Sequence, residues 1–179
     1  NQRKNSKEID TTKMKFWIFI ILLNCNLVFS QNLVPNPSFE QYTLCPSGYS
    51  QLSYCIQWEG PINDDSDYYN TCSITMGIPY NDGPFGYQPS KTGNGYAGLW
   101  MYNGVNNNYR EYLRTALLNP LLINECYYVE FYCNLENNLS LAVNNIGLHL
   151  SINPINTTST GNVLDLQPQI LKLNNPVIN

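Results

Sequence analysis

Apolar and polar residues alternate in two stretches of the second half of the chain. Residues 126–135 carry an apolar side chain at every odd position, and residues 146–152 carry one at every even position. A period of two is typical of β-strands with one buried face. The pattern therefore predicts two half-buried antiparallel strands.

The rest of the chain has a less regular pattern. Residues 32–106 are short apolar pieces separated by turn residues, and the aromatic-rich pieces at 49–58 and 95–102 predict two more strands. Residues 109–118 fit either a strand or a helical stripe, and the predicted strands on both sides favour a strand. From residue 153 onward the chain is polar and turn-like.

Composition agrees with an all-β fold. The 179 residues include 14 Tyr, 11 Gly and 11 Pro, and only 12% are charged. That charged fraction is about half of the usual 25%. Tyr favours strands, whereas Gly, Pro and the abundant Asn favour turns, so long helices are disfavoured. The length fits one domain.

An apolar run near the start predicts export. Residues 16–30 follow Met14-Lys15 and are apolar apart from two Asn and the final Ser. Because a membrane span needs about 20 apolar residues, we interpret residues 14–30 as a signal peptide cleaved after Ser30, with an anchor as the weaker alternative. Residues 1–13 then form an upstream segment outside the fold, and residues 31–179 form the β-sandwich module, with no transmembrane helix after signal removal.

Charge narrows the range of partners. Residues 31–179 hold eleven acidic side chains against four basic ones, a net charge of −7. An acidic exported protein lacks the cations needed to neutralise nucleic-acid phosphates, and it has no charge attraction for anionic lipid. We therefore expect no nucleic-acid partner.

Export would permit disulfides among the cysteines after residue 30. Cys126 and Cys133 lie on opposite faces of one predicted strand, about 23 Å apart, so they cannot pair with each other. Cys45, Cys55 and Cys72 lie in a loop-rich region, where we favour a Cys45–Cys72 bridge. Zinc binding is disfavoured because no C-x-x-C motif occurs and the chain has one His.

Several stretches resemble a known type of module. The first, Gln31-Asn-Leu-Val-Pro-Asn-Pro-Ser-Phe-Glu40, is similar to the opening strand of galactose-binding-like β-sandwiches, the jelly rolls of many carbohydrate-binding modules. As a set, the stretches resemble the N-terminal module of secreted or surface proteins of Bacteroidota, which OmpA-like or sorting domains often follow. The other stretches are Leu44-Cys-Pro46, Asp67-Tyr-Tyr-Asn-Thr-Cys72, Ile78-Pro-Tyr-Asn81, Gly95-Tyr-Ala-Gly98, Tyr109-Arg-Glu-Tyr112, Tyr128-Val-Glu-Phe-Tyr132 and Asn144-Asn-Ile-Gly147.

The resemblance implies an antiparallel jelly-roll-like β-sandwich that is incomplete. Such modules end with a Trp-bearing strand and an Asp-rich strand beside the first one, and neither pattern occurs before Asn179. We therefore expect a module that lacks its closing strands. In similar modules, a Glu at the position of Glu40 helps to hold a structural calcium with acids of the last strand, so calcium is expected only in a complete domain.

Aromatic residues are the best candidates for ligand binding. Flat rings with a polar edge stack on the C–H faces of sugars, and the alternative for the same rings is the hydrophobic core. Arg110 could bind a carboxylate or a sugar diol, or pair with a neighbouring acid. The aromatic candidates are Trp58, Tyr68, Tyr69, Trp100 and Tyr102.

Catalysis is disfavoured. Glu111, Glu130 and Glu136 could form the carboxylate pair of a glycosidase, but acids scattered along strands usually face solvent. His149 is the one candidate base for a Ser-His-Asp triad, and no G-x-S-x-G motif occurs. We expect a non-catalytic recognition or adhesion module at the cell surface or outer membrane, or secreted, that binds a glycan. The alternatives are a structural spacer of the cell envelope and an ancillary domain of a glycoside-degrading enzyme.

Overall fold

A computed structural model of the chain describes residues 31–61, 65–75, 87–102, 109–140, 142–143, 146–156 and 163–172. The described regular structure comprises one 3-10 helix, Leu52–Tyr54, and four short strands, which pair into two antiparallel two-stranded sheets. These residues contain strands and almost no helix, which is compatible with the predicted all-β class. The strands are β1 (Asp67–Asn70), β2 (Gly95–Gly98), β3 (Ile146–Leu148) and β4 (Ile170–Lys172).

Strand β1, which pairs with β2, is the most buried strand of the described residues. All four residues of β1 are buried, and Tyr68 pairs with Ala97 while Tyr69 pairs with Tyr96. The rings of Tyr69 and Tyr96 lie 5.1 Å apart between centroids. Because side chains alternate along a strand, β1 is buried on both faces, and its hydrophobic pattern shows no period of two.

The segment before the 3-10 helix packs against one face of β1 and is tied together by Asn36. The buried Asn36 amide donates to the carbonyl oxygens of Gln41 and Ile56, each at 2.9 Å, and its Oδ1 accepts the N–H of Gln41 at 3.0 Å. The φ angle of Asn36 is +43°, a left-handed conformation that Asn tolerates better than most residues. One side chain therefore fixes the path of residues 36–56.

Tyr68 lies at the centre of this packing. Its ring is fully buried, and its hydroxyl donates to the carbonyl oxygen of Phe39 at 2.7 Å and accepts the side-chain N–H of Asn70 at 2.9 Å. A buried hydroxyl with both roles satisfied carries little desolvation cost. The core cluster contains Leu52, Cys55 and Tyr68, with Phe39, Tyr54, Trp58, Ala97 and Leu113 packed against it.

The prediction of a Cys45–Cys72 disulfide is confirmed. The two sulfur atoms are bonded and the Cα atoms lie 5.9 Å apart. Cys55 is a buried thiol, and burial raises its pKa to about 11. Its sulfur accepts a hydrogen bond from the side chain of Asn36 at 3.3 Å, so it belongs to the core.

Two predicted strands are wrong. Residues 49–58 contain the 3-10 helix and an isolated bridge between Tyr42 and Cys55, because Leu52 and Cys55 turn inward together to meet Tyr68. Residues 126–135 form no strand, and residues 126–134 are all exposed. In the described part of the chain no β-ladder forms on this segment, so its alternating pattern has no surface to bury against.

The structure agrees with the remaining predictions to different degrees. Strand β2 occupies the first half of the strand predicted at 95–102, and β3 occupies the start of the one predicted at 146–152, although Ile152 is fully exposed. Residues 109–118 form neither the favoured strand nor a helix, and they contribute a single bridge, from Arg114 to Glu59. Strand β4 lies in the tail that was predicted to be turn-like, and pairs Ile146 with Lys172.

The predicted upstream segment at 1–13 and the predicted signal peptide at 14–30 lie outside the described residues. Among the residues that the structure does describe, no helix is both long and apolar enough to cross a membrane.

Candidate ligand-binding site

The candidate site is built on two chain segments that meet beyond the end of β2. The N–H of Glu111 donates to the carbonyl oxygen of Trp100 at 2.9 Å, and the N–H of Trp100 donates to Oε2 of Glu111 at 2.8 Å. These bonds join residues 99–102 to residues 109–111. Residues 103–108, which connect the two segments, lie outside the described residues.

Trp100 and Tyr102 present aromatic surface at this place. Their side chains are 40% and 41% exposed. Residues two apart have Cα atoms no more than about 7 Å apart, so one sugar chain could contact both rings. Trp100 is also held at its main chain by Glu111, which limits its freedom and lowers the entropy lost when a ligand binds.

Arg110 lies next to this pair of segments and supplies a cation. It is half-buried, and its Nη1 donates to the carbonyl oxygen of Tyr109 at 2.6 Å. The predicted alternative, pairing with a neighbouring acid, is not seen among the described residues, where the ion pair is that of Arg114 with Glu59 at 3.1 Å. The other guanidinium donors of Arg110 are suited to a carboxylate or a sugar diol.

Glu111 connects Trp100 to a chain of hydrogen-bonded polar groups. The hydroxyl oxygen of Tyr109 is 2.6 Å from Oδ1 of Asp65 and 2.9 Å from Oε1 of Glu111. Glu111 is only 3% exposed, whereas Asp65 is exposed. The prediction that Glu111 faces solvent is therefore wrong: its carboxyl bonds to the N–H of Trp100 and contacts the hydroxyl of Tyr109.

The electrostatics of Glu111 follow from this position. Burial raises its pKa from the ordinary 4.5 to about 8, against the lowering effect of the bonds from Trp100 and Tyr109, and the charge of Asp65 adds to the rise. Burial and the same two carboxyl groups also raise the pKa of Tyr109. A carboxyl with such a pKa holds its proton at neutral pH.

Asp67 of β1 and Glu136 form a second pair of interacting carboxyl groups. Oδ2 of Asp67 accepts the hydroxyl of Tyr69 at 2.8 Å, and its Oδ1 accepts the N–H of Ser50 at 2.6 Å. Burial, and after it the charge of Asp67, raises the pKa of Glu136 to about 7. Glu130, by contrast, faces solvent as predicted, and the hydroxyl of Tyr128 bonds to it at 2.9 Å.

Three of the predicted binding residues belong to the core. Tyr68 and Tyr69 are 0% and 2% exposed, so neither ring is open to a ligand. Trp58 is half-buried, stacks on Phe39 at 4.8 Å between ring centroids, and donates its indole N–H to the carbonyl oxygen of Asn36 at 2.8 Å. For these three rings the structure favours the core alternative.

Glu40, the candidate calcium ligand, caps a turn. Its Oε1 accepts the backbone N–H groups of Asn94 and Gly95 at 2.6 and 2.8 Å, and its Oε2 accepts the side-chain N–H of Asn94 at 3.3 Å. Gly93 has φ of +66°, and a side chain at Gly93 would collide with Glu40. Within the described residues, no three His, Cys, Asp or Glu side chains are grouped to hold a metal. Calcium in a complete domain stays a prediction.

The polar chain that Glu111 joins to Trp100 is not evident from the sequence. Glu111 is recognisable as a titratable group, but its link through Tyr109 to Asp65 is not, because Asp65 is distant in sequence. The available signal was the carboxylate of Glu111 between Tyr109 and Tyr112, whose hydroxyls are close to it in sequence.

Comparisons with protein-family models, with curated proteins and with solved structures find no match.

Proposed function

We propose that the chain is an exported, non-catalytic recognition or adhesion module of a secreted or cell-surface protein, and that it binds carbohydrate through Trp100, Tyr102 and Arg110. The observation that carries the proposal is the exposure of the two rings on a segment whose main chain is anchored by Glu111. Exposed aromatic rings at a fixed position are the usual means of stacking on sugar rings, and an adjacent guanidinium supplies directional donors to hydroxyl or carboxylate oxygens.

Export is part of the proposal. The Cys45–Cys72 disulfide supports it, since such bridges persist in oxidising compartments and are rare in the cytosol of mesophiles. The jelly-roll assignment rests on the resemblance of the sequence, and the antiparallel pairing of β1 with β2 is compatible with it.

A structural spacer is the second candidate. It is favoured by the use of Trp58, Tyr68 and Tyr69 as core residues and of Glu40 as a turn cap. These residues hold the fold together and leave fewer groups for recognition. The two candidates differ in one respect: only the binding module needs Trp100 and Tyr102 exposed.

The test is a binding screen with substitutions. The protein is applied to a broad glycan array and to insoluble polysaccharides, alongside Trp100→Ala and Tyr102→Ala, with Tyr87→Ala as a control of similar exposure (52%) elsewhere on the surface. Loss of one stacked ring is expected to weaken binding at least tenfold at an unchanged melting temperature, because a central aromatic contact contributes about 2 kcal/mol or more. Absence of binding by the unsubstituted protein, or equal loss in Tyr87→Ala, would favour the spacer.

A further inference from the structure

The hydrogen bonds around Glu111 indicate which of the neighbouring carboxyl groups carries a proton. The single hydroxyl proton of Tyr109 serves one acceptor, yet its oxygen lies within hydrogen-bond distance of two carboxyl oxygens, those of Asp65 and Glu111. If both carboxyl groups were ionised, one of these close contacts would join two acceptors with no proton between them. One carboxyl group must therefore be protonated.

The geometry identifies which one. The Tyr109–Asp65 contact, at 2.6 Å, is in the range of a charge-assisted O–H···O⁻ bond, whereas the Tyr109–Glu111 contact, at 2.9 Å, is longer than such a bond. Glu111 is also the more buried of the two, and burial disfavours its charged form. The proton therefore belongs on Glu111.

With Glu111 protonated, each of these hydrogen bonds has one donor and one acceptor. Its Oε1–H donates to the oxygen of Tyr109, whose own hydroxyl proton goes to Asp65. Its Oε2, then a carbonyl oxygen, accepts the N–H of Trp100 at 2.8 Å. The groups that face Glu111 in the described residues are thus Asp65, Tyr109 and the amide of Trp100, and none of them is a cation.

We propose that the Asp65–Tyr109–Glu111 cluster is a pH-sensitive clasp, in which the proton on Glu111 links this carboxyl through the hydroxyl of Tyr109 to Asp65, and loss of that proton to solvent loosens the link. The clasp is a property of the fold, and only its consequence for ligand binding rests on the proposed function. The segment around Trp100 reports the change, because the N–H of Trp100 bonds to the same carboxyl group, and that bond strengthens when the group becomes ionised.

The direction of the pH effect follows from the folded and unfolded states. The pKa of Glu111 is about 8 in the folded chain and 4.5 ordinarily, so between these values the folded state binds more protons. The contribution of Glu111 to stability is therefore complete below pH 4.5 and is lost as the pH rises toward 8. The folding equilibrium constant is expected to fall by up to ~10-fold per pH unit in this window from this group alone.

The experiment uses the full chain without any glycan. Fluorotryptophan is incorporated, the ¹⁹F signal of Trp100 is assigned with Trp100→Phe, and its position is followed from pH 5 to pH 9, with the signal of Trp58 as an internal reference. The variant Glu111→Gln keeps a carbonyl for Trp100 and an N–H donor for Tyr109 but does not titrate. Glu136→Gln is the matched control, since it removes the other carboxyl group whose pKa is raised.

We expect the Trp100 signal to shift with a midpoint near pH 8 in the unsubstituted protein and in Glu136→Gln, and to stay constant in Glu111→Gln. The ¹³C signal of the Glu111 carboxyl in the unsubstituted protein gives a second measurement that does not require a variant to fold. An ionised Glu111 at pH 6, or a Trp100 shift that persists in Glu111→Gln, would overturn the proposal. Because no glycan is present, failure to bind carbohydrate would leave these results unaffected.

Discussion

Two tyrosine-rich segments of this protein differ in burial. Tyr68 and Tyr69 in β1 are buried, and both of their hydroxyls are hydrogen-bonded to protein groups. Tyr128 and Tyr132 lie in residues 126–134, where every residue is exposed. The second segment has the better amphipathic pattern, and the first has none. A hydrophobic pattern thus indicates which face would be buried, whereas burial itself requires a partner surface.

The partner surface of β1 comes from distant residues. Strand β2, the 3-10 helix and the loop held by Asn36 converge on it, and Phe39 and Glu40 extend that loop toward the turn at residues 93–95. Residues 126–134 have surface contacts that leave them exposed, such as the position of Lys91 over the ring of Tyr132, 4.6 Å from its centroid. The difference predicts where stability is concentrated.

The largest expected effect separates the two segments directly. Tyr68→Ala should lower the free energy of unfolding by about 3–5 kcal/mol, because it removes a fully buried ring and leaves a cavity. Tyr128→Ala, at a site 85% exposed, should change it by less than about 0.5 kcal/mol. Urea unfolding followed by circular dichroism measures both. Similar losses in the two variants would contradict the comparison.

The cysteines provide a second test of the difference between the region around β1 and the exposed residues 126–134. Replacing Cys45 and Cys72 together by Ser opens a loop with a sequence separation of 27 residues and should cost about 3–4 kcal/mol by the chain-entropy relation. Cys126→Ser, in the exposed segment, is the control and should cost less than about 0.5 kcal/mol. Unfolding midpoints with and without reductant check this: a reductant should destabilise the unsubstituted protein and leave the double variant unchanged.

The same contrast explains how much the sequence predicts. Gly95–Gly98 and Ile146–Leu148 fall in predicted strands because turn residues precede the first and a period of two marks the second. Strand β1 was missed because a strand buried on both faces shows no alternation. The Cys45–Cys72 bridge was predicted because loop staples are common in Pro- and Gly-rich regions.

The site was predictable only in its exposed part. Trp100 and Tyr102 were named from residue type, and both are exposed. Glu111 was expected to face solvent, whereas its carboxyl bonds to Trp100 and is joined through Tyr109 to Asp65, 46 positions earlier. Contacts of that separation in sequence leave no local signal in the chain.

The smallest expected effect on stability concerns the exposed segment itself. Val129 and Phe131 are 40% and 49% exposed, and they belong to an exposed stretch with apolar side chains at its odd positions, residues 127–133. Such stretches promote association through edge pairing and apolar contact. Val129→Lys with Phe131→Lys should change the free energy of unfolding by less than about 0.5 kcal/mol but reduce concentration-dependent light scattering. A large loss of stability in this variant would mean that the segment is buried against something, and the two tyrosine-rich regions would then differ less than their exposures indicate.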